Sequence, residues 1–338
     1  MHERIDPNRP SLPVEVQALL RCPACRGRLR DDEQGEICLN CGRVFPLVKG
    51  VVRFVETQAY AGTFGFQWHK YARTQLDGEA SHESEILFRR KTGFTPEEIA
   101  GKLVLDVGCG MGRFAAVASR WGACVIGVDL SSAAEVAAAN LSDRDSVTIL
   151  QADAFFLPFA PGSFDFIYSI GVLHHTPDCE RAFRGLTDFL KPGGSIAIWL
   201  YSGYNHWYRF SDLYRKLTHR LPARWLHALC YLALPLYHLY RGLRSIPLVG
   251  SPASRVLHHL LPISLHPDRD IRVLDTFDWY SPKYQSKHTY EQVFRWFESC
   301  GLESLRVLEV PVAVRGRKGL HSSEGDARNE QLVGSKVL

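Results

Sequence analysis

Strand-like apolar runs that alternate with helix-like segments predict an α/β fold, a doubly wound and mostly parallel sheet of seven strands. Three observations carry this. Leu103, Val104, Leu105 and Val107 form a run that is apolar on both faces, as a central parallel strand requires. Further runs near Val125, Val147, Phe164 and Ser195 continue the alternation, with a helix expected after each of the first four strands. Much later, an amphipathic helix pattern from Thr289 to Cys300, closed by Gly301, precedes two runs, Ser304 to Val310 and Val312 to Arg315, that suit an antiparallel hairpin.

Taken in order, the chain opens on a polar, proline-rich stretch from Met1 to Pro13 without the apolar core of a signal peptide, then a short helix pattern from Ser11 to Leu20. Cys22-Pro-Ala-Cys25 and Cys38-Leu-Asn-Cys41 flank a polar hairpin, Arg28 to Ile37. Two such turns aim four thiolates at one point, so residues 1–56 read as a zinc ribbon with Cys22, Cys25, Cys38 and Cys41 as ligands of a closed, structural zinc. A single redox pair would not need the second turn. So short a segment cannot bury a core of its own, and metal binding would supply much of its folding free energy. The remaining cysteines, Cys109, Cys124, Cys179, Cys230 and Cys300, are scattered and are given no chemistry.

Residues 57–101 read as a helical cover. Phe66, Gln67, Trp68 and Tyr71 could lie over a bound cation, a helix is expected from Ser81 to Thr92, and Thr95-Pro-Glu-Glu98 is a capping start. The core spans 102–203, and its first strand runs straight into Gly108, Gly110 and Gly112, a Rossmann-like glycine turn where backbone can approach a nucleotide closely. Asp106 argues against a dinucleotide, because a pyrophosphate beside it would meet like charge, whereas the ammonium end of S-adenosylmethionine would be attracted. Asp129 ends the second strand about 20 residues later, where a ribose-binding acid is expected. Ligands of such sheets sit beyond the carboxyl ends of the strands, and Asp106, Asp129, Asp153, His174 and Tyr201 all fall near those ends.

In order, LDVGCGMGRF, VIGVDLS, QADAFFLPFAPGSFDFIYSIGVLHHTPD and FLKPGGSIAIWLY resemble the class I S-adenosylmethionine-dependent methyltransferases, most closely the small-molecule branch related to ubiquinone and menaquinone biosynthesis. The resemblance covers Phe64 to Arg315. It implies that Asp129 and Leu130 hold the ribose side, that Asp153 and Ala154 border the adenine, that Ser169 to Leu173 form the cofactor-facing end of the fourth strand, and that Trp68 covers the sulfonium. It also implies a substrate-side loop in Phe277 to His288, with Tyr280, Tyr284 and His288 as acceptor ligands beside Tyr201. Leu19 to Val55 resembles the small zinc-ribbon proteins that activate tRNA and protein methyltransferases. A fused ribbon is also similar to the arrangement in a ribosomal RNA guanine methyltransferase family, so an RNA substrate docked on Arg21, Arg26, Arg28, Arg30 and Arg43 is the second reading, opposed by Asp31, Asp32, Glu33 and Glu36 in the same module.

Methyl transfer needs an acceptor held in line, and a hydroxyl or acidic-carbon acceptor also needs a base, for which His174 and His175 at the end of the fourth strand are expected; an oxygen acceptor on a small molecule is the first reading, with carbon or nitrogen as alternatives. No Asp/Asn-Pro-Pro-Tyr and no Pro-Cys stands there, which disfavours amino methylation of nucleic acid and carbon methylation of cytosine. A non-catalytic cofactor-binding scaffold that contacts a partner protein is a third reading. Residues 204–276 read as a helical insertion, and 277–315 as completion of the core. Between Tyr204 and Leu265 the insertion carries Arg209, Arg215, Lys216, Arg220, Arg224, Arg241, Arg244 and Arg255 against the single acid Asp212, around the apolar stretch Trp225 to Tyr240. A lid over the cofactor cleft is expected, with a dimer contact or an anionic membrane and a lipid-linked acceptor as alternatives. The tail, 316–338, is polar without periodicity and is expected to be disordered. The whole chain, with 46% hydrophobic and 22% charged residues and a net charge of +4, is globular in composition and not basic enough to imply nucleic acid. With no apolar run of about 18 residues to span a bilayer, a cytoplasmic location is the default expectation.

Overall fold

The computed structural model describes residues 12–56, 60–78, 82–204, 209–248 and 250–320. Met1 to Ser11 and residues 321–338 lie outside the described residues; of the tail expected to be disordered, 316–338, residues 316–318 instead belong to a strand.

The expected strands form and lie side by side: β5 (Leu103–Val107), β6 (Cys124–Asp129), β7 (Val147–Gln151), β8 (Phe164–Ile170), β9 (Leu190–Trp199), β10 (Leu302–Val307) and β11 (Ala313–Lys318). β7, β6, β5, β8 and β9 are adjacent and parallel, with Leu105 opposite Ile126 and Ile167, and β11 joins β9 antiparallel. Strand order therefore reverses beside β5, where a crevice opens. A count of seven strands is too low. The ribbon strands β1 (Leu29–Asp32), β2 (Gly35–Cys38), β3 (Val44–Val48) and β4 (Val51–Arg53) continue the same sheet, which has eleven strands among the described residues. The junction is a parallel pairing of β4 on β7, with Val52 opposite Leu150 and the Phe54 N–H donating to the Gln151 carbonyl at 2.8 Å.

Helices α5 (Arg113–Arg120) and α6 (Ala133–Asn140) follow β5 and β6, and α7 (Cys179–Thr187) follows β8, as expected. The helix expected after β7 is absent: residues 152–163 form a loop, which Pro158 and Pro161 keep out of helix. The N-terminal module takes that place. Leu20, just past α1 (Val14–Leu19), bridges Phe159; the Arg21 N–H donates to the Pro158 carbonyl at 2.9 Å, and the Arg26 guanidinium donates to the carbonyls of Leu157 and Phe159 at 3.0 and 2.7 Å. Val16, Leu20, Phe45 and Phe54 thereby share one buried cluster with Leu157, Phe159 and Phe164.

The cover is α2 (Gly62–Lys70), α3 (Glu83–Thr92) and the short α4 (Pro96–Ile99), whose Thr95 and Glu98 make the expected capping box. The insertion is helical: α8 (Arg209–Thr218), α9 (Ala223–Cys230), α10 (Ala233–Arg244), α11 (Gly250–Leu260) and α12 (Arg269–Tyr280). Its expected end at Thr276 falls inside α12, which Asp268 caps through the Ile271 N–H at 2.9 Å and which continues as far as Tyr280. The insertion closes on the cover through Leu226, Cys230, Val273 and Phe277, packed with Tyr71, whose hydroxyl lies 2.8 Å from His227 Nε2. α13 (Tyr290–Ser299) starts on a Thr289/Gln292 capping box. β11 then runs past Arg315, the expected end of the core, because Gly316 and Arg317 still pair with Ile196 and Ser195.

Candidate active site

The glycine turn follows β5 at the crevice, and with the ends of β6 and β8 it walls a cavity of about 390 Å³. Gly108, Cys109, Gly110 and Met111 face it. Gly108 and Gly110 have φ of +81° and +54°, and a Cβ on Gly108 would stand 2.3 Å from the Val172 side chain. The Trp68 indole packs on Gly110. Asp129 comes off β6 with its carboxylate accepting from the Gly110 N–H at 3.0 Å and from the Ser131 N–H and hydroxyl at 2.8 and 2.7 Å. Burial pushes its pKa up despite those bonds. Leu130, Ala152 and Ala154 extend this wall, and the Leu130 carbonyl is held by Gln151 Nε2 at 3.0 Å. Ribose hydroxyls beside Asp129 and an adenine against the small apolar residues fit this wall. Phe64, Gln67 and Trp68 of α2 close it from above, with Gln67 Oε1 buried and without a hydrogen-bond partner among the described residues.

The opposite wall comes from helix stripes. Glu83, Leu87 and Lys91 on α3, and Ile271, Leu274, Asp275 and Asp278 on α12, recur at helical spacing and all face the cavity. Tyr201, beyond β9, donates its hydroxyl to Asp278 at 2.7 Å. Asp275 accepts from the Ser264 hydroxyl at 3.1 Å; burial, then the Asp278 charge, raise its pKa to about 6. Lys91 Nζ lies 3.6 Å from the centre of the Trp199 ring, and burial followed by the nearby Arg113 lowers its pKa to about 7.

Of the two histidines, only His175 reaches the cavity. Its Nδ1 is 3.0 Å from the Tyr284 carbonyl, an oxygen that can only accept, so Nδ1 carries the proton and Nε2 is the free base. Burial holds its pKa below the ordinary imidazole value. His174 is fully buried, stacked on Tyr201 with ring centroids 4.0 Å apart, and lies off the cavity wall.

Several expected site residues sit elsewhere. Strand alternation turns Asp106 away from the cavity toward Tyr168 and Cys109, so the expected pairing with the donor's ammonium is not formed by this geometry. Ser169 is likewise internal, its hydroxyl donating to the Val107 carbonyl at 2.9 Å. Gly112 caps α5 and lets α6 approach, since a Cβ there would lie 2.7 Å from Leu141. Asp153 caps its own turn through the Phe155 N–H at 3.0 Å and does not line the cavity. Tyr280 donates to the Pro262 carbonyl at 2.6 Å, and His288 Nε2 bonds the Ser286 hydroxyl at 2.7 Å; both, with the Tyr284 ring, are outside it. Among the expected cover residues, Phe66 and Tyr71 pack against the insertion instead.

The four ribbon sulfurs lie within 4.8 Å of one another, with Cys22–Cys41 at 3.7 Å and Cys25–Cys38 at 3.4 Å. Zn–S bonds of about 2.3 Å in a tetrahedron require sulfurs roughly 3.8 Å apart, so the cluster fits a closed zinc site.

Residues 105–198 match the family described as methyltransferase domain, and residues 17–50 match the Trm112p-like proteins. This chain carries a methyltransferase domain fused to a Trm112p-like zinc ribbon. The chain is 43% identical over 106 residues to methyltransferase GfsG of Streptomyces halstedii, covering 29% of this chain and 37% of that protein. It is 39% identical over 108 residues to the ubiquinone biosynthesis O-methyltransferase of Albidiferax ferrireducens, covering 29% and 40%. The chain thus spans well under half the length of both relatives. A solved complex containing the Haloferax volcanii Trm112 methyltransferase activator includes a chain similar over 77% of this chain and 100% of its own, at 13% identity and a TM-score of 0.44.

Proposed function

We propose that the chain transfers the methyl group of S-adenosylmethionine to a hydroxyl of a small molecule, with His175 as the general base. The observation that carries the proposal is the placement of His175: its ring lines the cavity with Nδ1 3.0 Å from the Tyr284 carbonyl, a contact that calls for the proton on Nδ1 and leaves Nε2 as the base. S-adenosylmethionine, when bound, supplies a methyl carbon activated by its sulfonium. The chain's part is to hold it with the Gly108 to Met111 turn and Asp129, to cover it with Phe64 and Trp68, and to place the acceptor oxygen within reach of His175. Tyr201 and Asp278 hold a polar edge of that acceptor. The relatives' names include O-methyltransferases, which agrees with an oxygen acceptor. A small acceptor suits a cavity of about 390 Å³ walled by helices on the side away from the sheet. The RNA reading loses support because Arg21 is bonded to the carbonyls of Ala18 and Leu20, and Arg26 to those of Leu157 and Phe159.

Incubation with methyl-labelled S-adenosylmethionine and a whole-cell extract separated into RNA, protein, lipid and small-molecule fractions tests this. Label is expected outside RNA and protein, and His175→Ala is expected to lower its incorporation about 100-fold or more while leaving cofactor affinity intact. Label concentrated in RNA would overturn the acceptor class, and undiminished turnover in His175→Ala would remove the base.

A further inference from the structure

Helices α9 and α10 run on almost without a break, because Tyr231 and Leu232 between them keep right-handed helical dihedrals. One face of the pair is spent inside the protein, where Leu226 and Cys230 pack with Leu274, a wall residue of the cavity, and Tyr240 packs with Ile263. The other face is left exposed among the described residues. Trp225, Leu229, Leu232 and Leu239 are 61, 52, 59 and 48% exposed and recur at intervals that align them in one stripe. Among the described residues, most of the exposed large apolar side chains of the chain fall between Leu213 and Leu261. Arg224 stands exposed on α9 beside the stripe and Arg220 in the turn just before that helix, whereas Arg241 and Arg244 are exposed on α10 but by helical spacing face away from the stripe; the only acid in the sequence between residues 209 and 265, Asp212, is paired with Arg215 and Lys287.

We propose that this face seats on a bilayer containing anionic lipid, with the leucine and tryptophan stripe in the acyl boundary and the arginines among the headgroups. The charge selects this occupant. A second copy would set arginine against arginine, and RNA would leave the leucines without a partner, whereas an anionic bilayer satisfies both sets at once. The surface that meets the lipid is then the back of a wall of the cavity. The inference concerns the surface alone and stands whether or not the methyl acceptor is a hydroxyl.

Sedimentation of the full chain with vesicles of phosphatidylcholine alone, or of phosphatidylcholine mixed with phosphatidylglycerol, tests it. Binding is expected with the anionic vesicles at low salt and release at high salt, with little binding to the neutral ones. Arg220→Gln and Arg224→Gln should each weaken partitioning about five-fold. Leu229→Glu with Leu232→Glu should abolish it while leaving the thermal transition in place, since both side chains are exposed. Three results would overturn the proposal: no sedimentation with anionic vesicles at low salt, vesicle binding that the glutamate variant retains, as for a purely electrostatic surface, or a dimer by light scattering that Leu229→Glu converts to monomer.

Discussion

A carboxyl group enclosed in a dry sheet keeps its proton, and Asp106 is so enclosed: it is 2% exposed, its Oδ2 has no partner of good geometry, and its pKa rises to about 8. The sign of the consequence is fixed. An unfolded Asp ionises near 4, so from there up to about pH 8 the folded state binds one more proton than the unfolded state, and stability falls as pH rises. Asp106→Asn is expected to remove about 1 kcal/mol per pH unit of that decline, read from urea midpoints between pH 5 and pH 8. His175 works in the opposite direction. Its depressed pKa means that acid protonates the unfolded chain first, so its contribution to stability is lost as pH falls below about 6.5. Because the free base is the working form, kcat/KM should be flat at neutral pH and should drop only below a midpoint under about 6.5, the reverse of a group that works protonated. Asp106 and Ser169 also show where motif reading stops. Both belong to strongly marked strands, but strand alternation points them away from the ligand, while their neighbours Val107 and Ile170 face it.

At the scale of elements, the cradle was legible because it is local: one strand, one turn and the acid ending the next strand sit close in sequence. The acceptor wall was not, because it is assembled from helices far apart in the chain. Its signal was nonetheless present as periodicity. Glu83, Leu87 and Lys91, and Ile271, Leu274, Asp275 and Asp278, are stripes at helical spacing, and an insertion boundary placed at Thr276 cut the second stripe in two. Tyr280, at the end of α12, and His288, beyond it, carry suitable chemistry, but Tyr280 bonds the Pro262 carbonyl and His288 packs its ring on Trp296. The α12 stripe gives a prediction. Asp278→Ala removes the hydrogen bond that Asp278 accepts from the Tyr201 hydroxyl, and losing a hydrogen bond to a charged group costs about 1.5–3 kcal/mol. The acceptor KM should therefore rise roughly 10-fold to 100-fold. Calorimetry should show cofactor affinity unchanged, because the hydrogen bonds that hold Asp129 run to Gly110 and Ser131 and not to α12; a loss of cofactor binding would place Asp278 on the wrong side of the cavity.

At the scale of the whole molecule, ribbon and core are joined in one sheet, in a way the cysteine spacing does not reveal. That spacing announces a ribbon but not where it docks, and the two prolines that forbid a helix after β7 were the available hint that something else covers this face. β4 pairs with β7, Arg53 and Lys49 both pair with Glu135 of α6, and Gln151 at the end of β7 holds the Leu130 carbonyl on the cavity wall. Metal binding at the four thiolates is therefore connected, through a few bonded residues, to the wall that faces the cofactor. A detached module would melt separately when its metal is removed. Here, stripping the metal with a strong chelator, or the Cys38→Ser substitution, should instead lower the midpoint of a single cooperative transition by roughly 10 °C or more, the shift expected when a chain of this size loses several kcal/mol. Affinity for S-adenosylmethionine should fall in parallel, because β7 loses the strand beside it. Scanning calorimetry with and without chelator distinguishes the cases: a second, independent transition, or cofactor affinity unchanged in the metal-free protein, would mean that the ribbon merely rides on the sheet it extends.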